Sequence, residues 1–183
     1  MGWVLDKTHS SVGFSIKHLM ISTVRGKFTD FDAVLSLHDT DLTLSAVQAT
    51  VKTASIDTSD ANRDGHLRSA DFFDVEKYPV FAFKSTKVEA KGSSRYNVTG
   101  DLTIKDVTKE VVFDVSEEGK GKSPWGKEIW AFTAEVTVNR KEFGMAFNMP
   151  LESGGWLVGE NVKVVLDLEI ANEPETAPAS VAA

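Results

Sequence analysis

Cysteine is absent from the 183-residue chain. That excludes a disulfide scaffold, a Cys-ligated zinc or iron–sulfur centre, and a thiol nucleophile. Histidine is scarce: His9, His18, His38 and His66 form no HExxH and no pair at i, i+4, so the spacing predicts no metal site. The phosphate loop GxxxxGK[ST], the dinucleotide turn GxGxxG and the hydrolase elbow GxSxG are also missing. No stretch approaches the ~18 uninterrupted apolar residues of a membrane-spanning helix. The start, MGWVLDKTHSSVGFSIKH, lacks the basic segment, apolar run and small-residue cleavage site of a secretory leader. A cytoplasmic location is therefore the expectation, periplasmic if a leader has been removed. Positive charge is in deficit, 20 Lys and Arg against 27 Asp and Glu for a net −7, which argues against a nucleic-acid partner.

What the chain does have is period-two alternation, the signature of strands with one apolar face. Val12, Phe14, Ile16 and His18 share a face, as do Phe31, Ala33, Leu35 and Leu37, and then Val47, Ala49 and Val51. Phe81 and Phe83, Val98 and Leu102, and Val111, Phe113 and Val115 continue the pattern. Trp130, Phe132, Ala134, Val136 and Val138, and finally Val162 to Ile170, complete it. This makes about eight antiparallel strands, several of them long (24–37, 42–56, 127–140, 160–171). Eight long strands are better closed than left with two bare edges, so the expected fold is all-β, an eight-stranded antiparallel up-and-down barrel. Such a barrel is filled by side chains or holds one elongated ligand.

Residues 57–78 break the rhythm. Asp60 or Asn62 could cap a short helical insertion with Leu67, Ala70 and Phe73 on one side. This segment carries six acids against three bases, so a good share of the net charge belongs to it. From Asn172 on, NEPETAPASVAA is rich in Pro, Ala and Glu. The expected organisation is a barrel domain over residues 1–171 and a disordered tail over 172–183.

Candidate site residues follow from the inward faces. Phe14, Ile16, Phe28, Phe81, Phe83, Leu102, Phe113, Trp130 and Phe132 would line an apolar cavity, with small residues such as Ala33, Ala49, Ala134 and Gly100 leaving room. His18 ends an apolar face. It is either a core-edge histidine bonded to a carbonyl or a polar group that orients a ligand's head. Arg63, Asp64, His66 and Arg68 form the densest polar run. They read equally well as a solvated helix start, with Asp64 and Arg68 paired, or as a rim on which Arg63 and His66 hold a polar head.

In its residues the chain resembles the YceI-like family. The shared blocks are Trp3 to Asp6, His9-Ser10, Phe14, His18, Gly26 and Phe28, then Arg63-Asp64, His66 to Ser69, Asp71 to Asp74 and Tyr78-Pro79. Gly100 to Ile104, Val107-Thr108 and Asn139 to Gly144 complete them, a span from Trp3 to about Ile170. The resemblance implies a lipocalin-like barrel that binds a polyisoprenoid or other amphiphilic lipid without chemistry, with no cofactor beyond that ligand. The implied partner is a hydrophobic small molecule such as an isoprenoid, quinone or fatty amphiphile, with a homodimer left open. Two rivals remain: an enzyme on a prenyl lipid with His18 or His66 as base and Arg63 as clamp, and an interaction domain whose interior is packed solid.

Overall fold

The computed structural model describes residues 2–173. The protein is mostly β, an antiparallel sheet that curls around an apolar interior, with one short α-helix. Its strands are β1 (Gly2–Leu5), β2 (Ser11–His18), β3 (Ser22–Phe28), β4 (Phe31–Ser36), β5 (Ala46–Lys52) and β6 (Ile56–Asp57). After the helix α1 (Ala61–Arg68) come β7 (Val80–Gly92), β8 (Arg95–Ile104), β9 (Val107–Lys122), β10 (Glu128–Asn139) and β11 (Val158–Glu173). Hydrogen bonding runs β4-β5-β7-β8-β9-β10-β11-β2-β3-β6, with β1 also on β11.

The sheet has eleven strands where the alternation predicts eight, and local breaks account for the difference. Thr29 and Asp30 separate β3 from β4, and a 3-10 turn, Thr53–Ser55, separates β5 from β6. The turn exists because Thr53 is fully buried. Its N–H bonds the Pro79 carbonyl at 3.0 Å and its hydroxyl donates to the Tyr78 carbonyl at 2.9 Å, so it serves the far side of the insertion rather than the ladder. The curl is tight. Phe31 pairs with Val51 while Phe28 pairs with Ile56, so residues 46–57 border both β4 and β3.

Strand β11 runs to Glu173, with Asn172 opposite Trp3 and Glu173 opposite Gly2. Asn172 and Glu173, expected to lie in a tail, instead belong to β11, where Lys127 and the β1 ladder hold Glu173. The rest of that tail lies outside the described residues.

The expected helix is capped by Asp60, whose carboxylate accepts from Asn62 and Arg63 N–H. It ends at Arg68, short of Ala70 and Phe73. Phe72 and Phe73 are nonetheless buried, because the chain turns inward after α1. Phe73 packs on Phe28 and Phe81, with ring centroids 5.9 and 5.2 Å apart. The Asp64–Arg68 pair does not form. Asp64 accepts from Thr58 N–H (2.9 Å) and hydroxyl (2.5 Å), and Arg68 donates to the Ala54 and Ile56 carbonyls. Arg68 therefore fastens α1 to the β5–β6 break and to β6, and Asp64 fastens it to Thr58 just beyond β6.

Candidate functional site: an apolar cavity with one polar end

Inside the curl lies a cavity of about 750 Å³. Its wall includes Phe14, Ile16, Phe28, Phe81, Phe83, Leu102, Phe113 and Phe132, eight of the nine apolar residues expected there. Two glycines seat these rings. A Cβ on Gly26 would come within 2.4 Å of Phe14, and one on Gly100 within 2.5 Å of Phe83. Each ring can lie against the backbone only because that atom is missing. Edge-on contacts then hold the rings, Phe28 to Phe81 at 5.7 Å and Phe83 to Phe113 at 5.2 Å.

Trp130 is the exception. It faces inward, as alternation requires, but is not in the cavity wall. It packs with Leu5, Phe31, Leu42, Phe132 and Ile170 in a cluster at the end marked by Trp3. Its indole N–H donates to Glu117 at 2.9 Å, its ring meets Trp3 edge-on at 5.4 Å, and Lys120 Nζ sits 3.4 Å from the ring centroid. Period two states which face a residue takes but not whether neighbouring side chains screen it from the cavity. Its cluster partners Leu5, Phe31, Leu42, Phe132 and Ile170 all line the cavity, so Trp130 stands behind the wall at that end.

The polar candidates gather at the other end. His18, Arg63 and His66 all line the cavity, together with Asn62 and Thr58. His18 pairs with Val158 across β2–β11. His66 Nε2 is 2.8 Å from an Asp71 carboxylate oxygen, and its ring lies edge-on to Phe72 (5.1 Å) and Phe147 (4.8 Å). Arg63 is partly committed elsewhere: Nε donates to the Thr58 hydroxyl and Nη2 to the Thr58 carbonyl, each at 2.8 Å. The polar run is thus first a fastening for α1, with His66 the member least occupied by the backbone.

Arg140, part of the shared Asn139 to Gly144 block but not among the candidate site residues, also belongs to the wall. Arg140, just after β10, is 2% exposed and lines the cavity. Nε donates to the Gly159 carbonyl at 2.7 Å and Nη1 to the Met145 carbonyl at 2.6 Å. Burial lowers the pKa of this guanidinium, and nearby Glu160 opposes that shift. Glu160 itself is bonded to Lys141. The local signal was there in sequence: Asn139 caps the turn, Gly144 closes it in the left-handed region (φ 79°), and Phe143 and Met145 flank it with apolar side chains.

A three-residue polar cluster, Asp6, His9 and Glu169, lies at the surface. Asp6 there accepts from the N–H groups of Thr8 and His9 and holds His9 Nδ1 at 3.0 Å, which raises the pKa of His9 and lowers that of Asp6. The cluster ties the β1–β2 connection to β11. Among the described residues, no helix is long and apolar enough to cross a membrane.

A curled antiparallel sheet thus surrounds a large, mainly apolar cavity, with His18, Arg63, His66 and Arg140 in its wall. Residues 3–170 match the YceI-like domain, and the chain belongs to that family. It is 41% identical over 167 residues to a UPF0312 protein of Staphylococcus epidermidis, covering 91% of this chain and 95% of that one. A UPF0312 protein of Staphylococcus aureus is 37% identical over 170 residues, with 92% and 96% covered. Among solved structures, the Campylobacter jejuni YceI protein superposes with a TM-score of 0.75 at 32% identity, over 95% of this chain and 99% of that one. Burkholderia cenocepacia BcnA gives 0.78 at 25%, over 90% and 98%. A polyisoprenoid binding domain from Saccharophagus degradans shares the fold, with a TM-score of 0.66 at 12% identity over 93% and 98%.

Proposed function

We propose that the protein binds a long-chain isoprenoid or similar amphiphilic lipid, tail inside the cavity and head at the α1 end, and carries, shelters or stores it without chemical change. The observation that carries this reading is the cavity: about 750 Å³, walled by phenylalanine and aliphatic side chains, with His18, Arg63 and His66 confined to one end. Its volume falls in the ~300–1,000 Å³ range of small-molecule sites. Ten buried methylenes at ~0.8 kcal/mol each supply a gross ~8 kcal/mol. Ordering the chain and losing its free motion offset part of that. A polar head gains nothing by entering an apolar wall, so it stays at the polar end.

The same reading treats the sheet as an eight-stranded up-and-down barrel. If β1 with β2, β3 with β4, and β5 with β6 are each one bent strand, every strand has its sequence neighbours on either side and β11 meets β2. The enzyme alternative rests on the His66–Asp71 contact.

The test is thermal denaturation with graded prenyl lipids. A ligand at about 100 times its Kd adds ~2.7 kcal/mol to stability, so the midpoint should climb with concentration. No rise with any prenyl alcohol, prenyl phosphate or quinone would refute the reading.

A further inference from the structure

Arg140 carries a charge that the fold does not use. Its two hydrogen bonds go to neutral carbonyls, and a neutral amide side chain could make bonds of that kind. Its Nη2 is buried with no partner. Among the described residues no carboxylate oxygen lies within 4.0 Å of it, and Glu160 is engaged by Lys141. A guanidinium stays protonated at physiological pH, and a buried one is costly unless an anion or a full set of acceptors meets it. The residue stands in the cavity wall at the polar end. Its Cζ is 5.9 Å from the Phe72 ring, against which His66 also packs. Arg63, the other guanidinium of that wall, spends two nitrogens on Thr58.

We infer that Arg140 selects an oxyanion head group, carboxylate or phosphate, on the lipid that the cavity holds. This rests on the carriage reading above and adds a specificity to it. The planar fork of a guanidinium matches the paired oxygens of both groups, and a low-dielectric surround strengthens the attraction. A tail that fills the apolar end leaves its head among Arg140, His66 and Phe147. A neutral head at the same place leaves the charge unanswered. Arg140 therefore discriminates between heads, while the phenylalanines accept tails.

The experiment measures affinities of the full-length protein for two tail-matched pairs: geranylgeranyl monophosphate against geranylgeraniol, and hexadecanoic acid against hexadecanol. The anionic member should bind about tenfold tighter or better in at least one pair, and the pair that shows it names the head group. In Arg140→Gln, which keeps an amide donor for the carbonyls, the ratio of the anionic ligand's affinity to that of its alcohol should fall to about one. Equal affinities within both wild-type pairs would overturn the inference and leave carriage standing. A preference persisting in folded Arg140→Gln would overturn it as well. Should that variant not fold, the wild-type pairs decide alone. Binding of none of the four ligands would remove the inference together with the carriage reading.

Discussion

Replacing Gly100 with alanine tests how the cavity wall is seated. A Cβ at this position would lie 2.5 Å from the Lys84 carbonyl oxygen and 2.5 Å from Phe83 Cζ, where ordinary contact begins at 3.4 Å. Neither neighbour yields freely. The carbonyl belongs to β7 beside the irregularity between Ser85 and Lys87, and the Phe83 ring is held edge-on by Phe113. Overpacking of this kind costs about 1–3 kcal/mol. The lower chain entropy of unfolded alanine returns about 0.4–1 kcal/mol. The net loss lies between about 0 and 2.6 kcal/mol, and its centre near ~1.3 kcal/mol lowers the midpoint of a chain of this length by roughly 3–5 °C. Gly13 is the matched control. A Cβ there meets the Val165 and Gly26 carbonyl oxygens at 3.5 and 3.7 Å, ordinary contacts, so Gly13→Ala should be neutral or slightly stabilising. Phe83 lines the cavity, so Gly100→Ala should also weaken tail binding, whereas Gly13→Ala should not. Denaturation midpoints and lipid affinities of both variants decide the matter. Gly100→Ala as stable as wild type, or indistinguishable from Gly13→Ala, would refute the seating argument.

Thr58→Val should cost about 1–3 kcal/mol in urea denaturation, since it removes the hydroxyl that bonds Asp64 and Arg63 at a buried position. Amide exchange in α1 should accelerate with it. Trp130→Phe should leave lipid affinity within about twofold, because Trp130 is outside the wall, while Phe132→Ala should weaken binding and cost about 3–5 kcal/mol of stability. The Asp6–His9 contact makes stability depend on pH. His9, raised above its ordinary 6.5, stabilises fully below that value, and this is lost as pH climbs through its folded pKa. Asp6, lowered below 3.8, stabilises above that value, and this is lost as pH falls through its folded pKa. The midpoint difference between wild type and His9→Gln should therefore be largest between those two pKa values and shrink at pH 8. A constant difference from pH 5 to 8 would contradict this.

Strand positions and inward faces were legible because alternation is local and the sheet has one apolar side. Eight of nine proposed wall residues stand in the cavity for that reason. Screening by neighbouring side chains is not local, so alternation alone does not show that Trp130 stands behind the wall. The break at Thr53 was invisible because its cause, the Tyr78 and Pro79 carbonyls, lies some 25 residues downstream. The Arg63–Arg68 run looked like a rim or a solvated helix. Only tertiary contacts reveal that Arg68 and Asp64 hold α1 in place. Arg140 lies in the shared Asn139 to Gly144 block, but an arginine after a strand is ordinarily solvated, so alternation gives it no place in the wall. Its burial follows from Gly159 and Met145 closing over it.

Native mass spectrometry of the protein as purified, with solvent extraction of anything bound, tests the central claim most directly. Carriage predicts an adduct of one lipid per chain that is released into organic solvent and regained when the extracted lipid is added back. Protein that is repeatedly empty, and takes up no prenyl or fatty amphiphile on addition, would contradict it.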